Sequence, residues 1–369
     1  MAATLRQAAG SLLVVGVGGT ELTALERAWL KLVRPAGVIL FRRNIADAKQ
    51  TRALLGESMQ LCAPRNLRFV DVEGGSVDRL RDALAPMPSA QAVALAACKK
   101  SRLAFAYEHG ELIARAVKAF GFNTTLAPVV DLALPGSAAV MGTRCAAPDA
   151  AGTIAYAREF LAGLAAQNVV GCAKHFPGLG GGLCDSHLST PTIERGWRQL
   201  WREDLEPYRA LRDQLPMVMV NHAAYPKTAG KARPASVSRF WIGKILRQRI
   251  GYSGLVLSDD LEMGGILKFM PIEEAAVEAV RAGSDLIEIC HSAELILRAY
   301  EALLAEAERS APFSKLLVAR ARESARKRAK SFSPALSSAL GARQFEALRS
   351  KILRFGERVA KATSSQEKA

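Results

Sequence analysis

Eight short apolar runs punctuate the chain, and longer stretches with helical spacing of apolar positions lie between them. The runs cover residues 11–17, 37–41, 68–72, 123–130, 169–173, 217–221, 254–258 and 285–290. Near-continuous apolar character fits strands buried on both faces of a parallel sheet. The segments between the runs predict helices. In the first of them Thr23 and Glu26 form a capping box. Leu25, Ala28, Trp29 and Leu32 then follow at i, i+3, i+4 and i+7 and predict one apolar face. Pro35-Ala36-Gly37 ends that helix before the second run. Pro271 opens a helix over 272–282, and Gly283 closes it before the eighth run. After Cys290 the pattern is helical over 295–309 and 314–330 and breaks at Ser331-Phe332-Ser333-Pro334. It resumes over 343–360 and ends in a frayed tail from Thr363.

Eight β–α units predict an α/β fold, a single-domain TIM (β/α)8 barrel. The competing arrangement is an open, doubly wound sheet. Polar residues at the run ends favour the barrel. Asp71 and Glu73 end the third run, and Lys174 and His175 the fifth. Asn221 and His222 end the sixth, and Asp259 and Asp260 the seventh. Barrels build sites at the C-terminal ends of many strands at once, whereas open sheets gather them at one switch point. The expected organisation is a barrel over residues 1–309 and a basic helical C-terminal extension over 310–369. No internal repeat or low-complexity linker interrupts it.

Charge changes the picture only at the C-terminal end. The formal net charge is +15, but from Ala311 onward fourteen Lys and Arg face four acids, which accounts for ten of it. The body is only mildly basic and does not point to nucleic acid. The basic helices are expected to be solvated on the barrel's outside, with an acidic partner as the sharper alternative. Six cysteines are scattered without a CxxC pair, which argues against a zinc knuckle or a disulfide framework. No run approaches the ~20 apolar residues of a membrane span, and no secretory leader pattern opens the chain. The expectation is a cytoplasmic protein.

The candidate chemistry lies at the run ends. Asp259, held at a strand terminus, is a nucleophile, a metal ligand or a helix N-cap; the cap is the commonest role for an Asp so placed. Lys174-His175-Phe176-Pro177-Gly178 leads into the glycine-rich stretch Leu179-Gly180-Gly181-Gly182 and then Asp185-Ser186-His187. A carboxylate two residues from an imidazole can orient it for acid–base work near neutral pH; an isolated pair of this kind more often just bonds backbone. Arg79, Arg144, Lys174, His175 and His222 converge as donors for an oxygen-rich ligand: a phosphate, a carboxylate or a sugar. A metal set of His175, Asp185, His187 and Asp259 lacks HxH or HExxH spacing, so no metal is expected. Gly16-Val17-Gly18-Gly19 lacks both GxGxxG spacing and a GKS/T ending.

Taken together, these segments resemble glycoside hydrolase family 3, in its bacterial β-N-acetylglucosaminidase (β-hexosaminidase) branch. Lys174 to Gly178 followed by Asp185-Ser186-His187 resembles that branch's signature. Ile245 to Arg249 followed by Gly254-Leu255-Val256-Leu257-Ser258-Asp259 is similar to its nucleophile motif. Asp71-Val72-Glu73-Gly74-Gly75-Ser76-Val77-Asp78-Arg79, Ala127-Pro128-Val129-Val130-Asp131, Gly142-Thr143-Arg144 and Pro234-Ala235-Ser236 fall in the family's order. The resemblance covers roughly residues 11 to 291. It implies that Asp259 is the nucleophile of a covalent glycosyl–enzyme intermediate. His187 would be the general acid/base with Asp185 as its partner, and Asp71, Arg79, Arg144, Lys174 and His175 would bind the sugar. His222 is a further candidate. The implied substrate is a carbohydrate, a terminal β-N-acetylglucosamine on muropeptides released in peptidoglycan recycling. No cofactor is needed, and a second domain has no room. Alternatives on the same barrel are a β-N-acetylglucosaminide phosphorylase, a β-glucosidase or a non-catalytic sugar-binding protein. Two departures stand out. Leu179 to Gly182 replaces the branch's usual His-Gly-Asp-Thr at preserved loop length, and Glu262 replaces a small or polar residue.

Overall fold

The computed structural model describes residues 4–99, 104–182, 190–331 and 336–364. Eight strands close into a barrel: Leu13–Gly16 (β1), Gly37–Leu40 (β2), Leu67–Val70 (β3), Thr124–Thr125 (β4), Val170–Phe176 (β5), Met217–Val220 (β6), Leu255–Asp260 (β7) and Leu286–Ile289 (β8). Each pairs in parallel with its sequence neighbours, and β8 closes on β1 with Val14 opposite Glu288. All eight apolar runs are strands, and the fold is the TIM barrel that their spacing predicts.

Alternation along the strands sorts residues inward or outward. Val14, Ile39, Phe69, Leu126, Cys172, Met219, Leu257 and Cys290 belong to an apolar cluster that fills the barrel. Outward residues such as Val15, Val38, Val70 and Ile287 pack against the helical layer. The layered interior is a packed plug, so any polar group within it needs a reason.

Several boundaries differ from the expectation. The ladder of β4 holds only Thr124 and Thr125, with one further bridge from Val129 to Lys174. Pro128 lies between, and a proline has no N–H for a ladder. The third run divides. β3 stops at Val70, and Val72–Gly74 turns into a small antiparallel hairpin with Val77–Asp78. β5 and β7 are longer than their apolar runs, so Lys174, His175, Asp259 and Asp260 sit within strands and inherit their rigidity.

The helix Ala24–Val33 carries the expected capping box but presents another face. Glu26, Trp29, Leu30 and Val33 are buried, while Leu25 and Leu32 are 69% and 51% exposed. Trp29 belongs to both stripes, which differ by one residue, about 100° of helix. Glu26 decides between them. Its carboxylate accepts from the Gly18 amide at 2.6 Å and the Thr23 amide at 2.7 Å, which pins that side against the barrel. The same contact answers the glycine loop after β1, whose Gly18 N–H already faces a carboxylate.

Helix Ile272–Ala282 ends as expected at Gly283, whose φ of 122° disfavours a side chain. The C-terminal helices span Ala293–Arg309, Ala311–Ser331 and Ala342–Ser364. The last runs through Thr363 and Ser364, which the sequence assigns to a frayed tail. The predicted break falls largely on residues 332–335, outside the described residues. Some of the cationic excess has structural work. Arg328 is 2% exposed and donates to the Arg65 carbonyl at 3.3 Å, and Lys327 reaches the buried Asp285 carboxylate at 2.9 Å. The last helix buries Leu348, Ile352, Phe355, Val359 and Ala362. Phe355 stacks on His109 at 5.9 Å. Phe355→Ala is expected to cost about 3 kcal/mol in chemical denaturation, from lost transfer energy plus the cavity left behind. A helix that merely rests on the surface would lose far less.

Candidate active site

The C-terminal ends of the strands surround a cavity of about 220 Å3. A larger cavity, about 600 Å3, opens at the opposite end of the barrel; it is lined by Arg68, Lys118 and Lys330 and by no carboxylate. The carboxylates and imidazoles face the smaller one.

A buried charge network forms its wall. Lys174, near the end of β5, places Nζ 2.9 Å from Asp71 Oδ1 and 2.6 Å from Glu73 Oε1. Arg144 grips Glu73 with two hydrogen bonds, 2.8 Å from Nε and 2.9 Å from Nη2. Burial raises the Glu73 carboxyl, but Arg144 and Lys174 outweigh it and hold the group far below the usual carboxylate range. Burial likewise pulls Lys174 down, and Asp71 and Glu73 more than restore it. Glu73, Arg144 and Lys174 are all charged at physiological pH. The pairing and the bidentate geometry repay a desolvation that isolated charges could not.

His175 is oriented from both sides. Its Nδ1 lies 2.6 Å from Asp131 Oδ2, and its Nε2 lies 3.3 Å from Arg144 Nη2. A guanidinium only donates, so Nε2 accepts and the proton sits on Nδ1, facing Asp131. The other Asp131 oxygen accepts from the Leu179 amide at 2.7 Å. One carboxylate thus positions His175 and the first residue of the altered loop segment together. Arg79 stands nearer the rim, 3.9 Å from Asp71 Oδ2.

Asp259 faces these groups from β7, and its Oδ1 accepts from the Asp260 amide at 3.0 Å. Burial pushes its carboxyl up, but His222, His175 and Lys174 together bring it below the usual value. It is therefore an ionised carboxylate. The N-cap role is overturned. The next helix, Gly264–Leu267, begins after Met263 without a side-chain cap, and Asp259 is inside the strand. His222 is buried behind this position. Its Nε2 donates to the Asp260 carbonyl at 2.9 Å and its Nδ1 meets Ser236 Oγ at 2.7 Å, and it does not line the cavity.

Asp185 and His187 lie outside the described residues. Both roots of their loop are described. Gly178, at φ 134°, offers its carbonyl to Tyr225 Oη at 2.8 Å, and a Cβ there would meet Asp204 Cβ at 2.8 Å. On the return, Thr190 Oγ1 donates to the Gly265 carbonyl at 2.6 Å, and the Ile193 amide to Ala224 at 2.8 Å.

Sequence reasoning singled out neither Glu73 nor Asp131 as a site residue, although both stand in the quoted motifs. It placed Asp260 at a run end without giving it a role and passed over Glu288 and His291; all three line the cavity. A charge at an inward position of an apolar strand was the available signal for Glu288. Asp260, Glu262 and His291 bring ligand-type atoms within 4.8 Å of one another. Arg43 Nη1 lies 3.0 Å from His291 Nδ1, so Nε2 carries the proton and points toward Asp260 Oδ2 at 3.6 Å. Asp260 and His291 thus meet at ion-pair distance. Burial, with Glu262 and Asp259 beside it, pushes the Asp260 carboxyl up to about 7.

Known proteins resemble this chain in sequence and fold. The family model for the glycosyl hydrolase family 3 N-terminal domain matches residues 4–323. A β-hexosaminidase of Stenotrophomonas maltophilia is 36% identical over 296 residues, 79% of this chain and 87% of that protein. The solved structure of a family 3 β-N-acetylglucosaminidase from a Paenibacillus species superposes with a TM-score of 0.85 at 32% identity, covering 96% of this chain and 69% of that one. Native NagZ from Neisseria gonorrhoeae gives 0.76 at 28% identity, covering 96% and 98%.

Proposed function

From the premise that this chain belongs to glycosyl hydrolase family 3 and is a β-hexosaminidase of it, we propose that it releases terminal β-N-acetylglucosamine with retention, through a covalent intermediate on Asp259. The observation that carries the reading is an ionised Asp259 facing a cavity of about 220 Å3, opposite Asp71, Arg144, Lys174 and His175.

The steps balance with these groups. Asp71 accepts hydrogen bonds from sugar hydroxyls, and Lys174 and Arg144 donate to sugar oxygens. Protonated His187 gives its proton to the departing oxygen as an Asp259 oxygen attacks the anomeric carbon and the glycosidic bond breaks. Neutral His187 then takes a proton from water, whose oxygen attacks the same carbon and expels Asp259. Retaining glycosidases ordinarily use a second carboxyl for the proton; an imidazole has a pKa already suited to neutral pH. Asp185 orients that imidazole. The natural substrate in this reading is a muropeptide, and the setting is cytoplasmic recycling of peptidoglycan.

Product analysis tests it. With an aryl β-N-acetylglucosaminide the enzyme is expected to yield free N-acetylglucosamine, the β-anomer first by NMR, with or without phosphate. N-acetylglucosamine 1-phosphate as the product would make it a phosphorylase instead. His187→Ala is expected to lower kcat/KM by roughly 10³-fold on a poor leaving group but only about tenfold on dinitrophenolate, which needs no proton. Equal losses on both would remove His187 from the acid role.

A further inference from the structure

The floor of the cavity is made by side chains of the barrel's uppermost apolar layer. Leu126 and Met219 line it, and Glu288 lies beside them. Glu288 stands on β8 between Leu286 and Cys290, both members of the apolar plug, so its side chain shares their inward direction. It is only 2% exposed. Cys290 Sγ donates to its Oε1 at 3.5 Å, while Oε2 has no hydrogen-bond partner among the described residues. A carboxyl buried among aliphatic side chains with an unsatisfied oxygen is costly, and a fold that only needed packing would place a leucine there.

We propose that Glu288 is a specificity-determining residue, whose Oε2 hydrogen-bonds an oxygen of the glycosyl unit seated over Leu126 and Met219. This rests on the glycosidase reading above and adds a contact from the floor to those from the wall. Burial, with Asp260, Asp71 and Asp259 nearby, drives the carboxyl well above the usual range, so it carries a proton. Oε1 accepts from Cys290, which leaves the proton on Oε2, the unpartnered oxygen of a side chain that lines the cavity. Asp71 and Asp259 accept there; Glu288 donates. The floor then distinguishes a sugar with an oxygen at that position from its deoxy counterpart, since the deoxy sugar leaves a buried donor unpaired.

The test compares wild type, Glu288→Leu and Glu288→Gln, each as the full chain, on an aryl β-N-acetylglucosaminide and its monodeoxy analogues. Glu288→Leu is expected to lower kcat/KM on the parent substrate roughly 30-fold and to raise the melting temperature, because an unsatisfied buried carboxyl is gone. Glu288→Gln keeps a donor and is expected to lose about threefold. On one monodeoxy analogue the Leu penalty should vanish. An undiminished Glu288→Leu, or an equal penalty on every analogue, overturns the proposal while leaving the glycosidase reading intact. A wild type that cleaves none of these glycosides removes both.

Discussion

Asp259→Asn is expected to lower kcat on aryl β-N-acetylglucosaminides by about 10⁴-fold or more, the scale of removing a covalent nucleophile. An amide has no ionised oxygen to attack the anomeric carbon. The backbone should tolerate the change, because the amide oxygen can still accept from the Asp260 N–H that Oδ1 now serves at 3.0 Å. KM should move little, since the wall groups around Lys174 and Arg144 are untouched. The charge state gives a second check. Asp259 is held below the usual carboxylate value, mainly by His222 and His175 against its burial. Its active, ionised form is therefore present at neutral pH and is lost only below the usual aspartate range. The acid limb of the wild-type kcat/KM profile should lie there or lower.

Glu73→Ala carries the largest expected stability loss. Glu73 is 3% exposed and bonds both Arg144 and Lys174. Removing it takes the carboxylate from the buried Arg144 and leaves Lys174 with Asp71 alone, and breaking such a buried pair costs roughly 3–5 kcal/mol. The sign of the pH dependence follows from the depressed carboxyl. Its stabilisation is fully present above the unfolded value near 4.3 and disappears as pH falls toward the lower folded value. Urea melts should therefore show a wide gap between wild type and variant at pH 7 and a narrower one near pH 3. Activity should fall as well, because Arg144 then loses the anchor that aims it at His175.

What the sequence made legible follows from locality. The strands were readable because each is buried on both faces and so announces itself as an apolar run. β4 was overlong in that reading because Ala127 to Val130 is apolar yet contains Pro128, and its pairing reduces to one bridge. The face of helix Ala24–Val33 was ambiguous because Trp29 belongs to two stripes, and a tertiary contact from Gly18 chose between them. The wall of the site was partly legible, since Asp71, Lys174, His175 and Asp259 stand at the ends of apolar runs. The partnership of Asp131 with His175 joins residues 44 apart, and no local pattern encodes it. Glu288 was hidden by the run that contains it: one acid among apolar neighbours does not change a strand's average character. Asp185 and His187 remain readable only as a spacing and a resemblance.

The most direct test is trapping with a 5-fluoro β-N-acetylglucosaminyl fluoride, followed by digestion and mass spectrometry. A nucleophilic Asp259 predicts one covalent glycosyl adduct, on the peptide that carries Gly254 to Asp260, absent in Asp259→Asn. An adduct on another carboxylate would contradict the account. So would retention with no enzyme adduct, as when the substrate's own acetamido group serves as nucleophile.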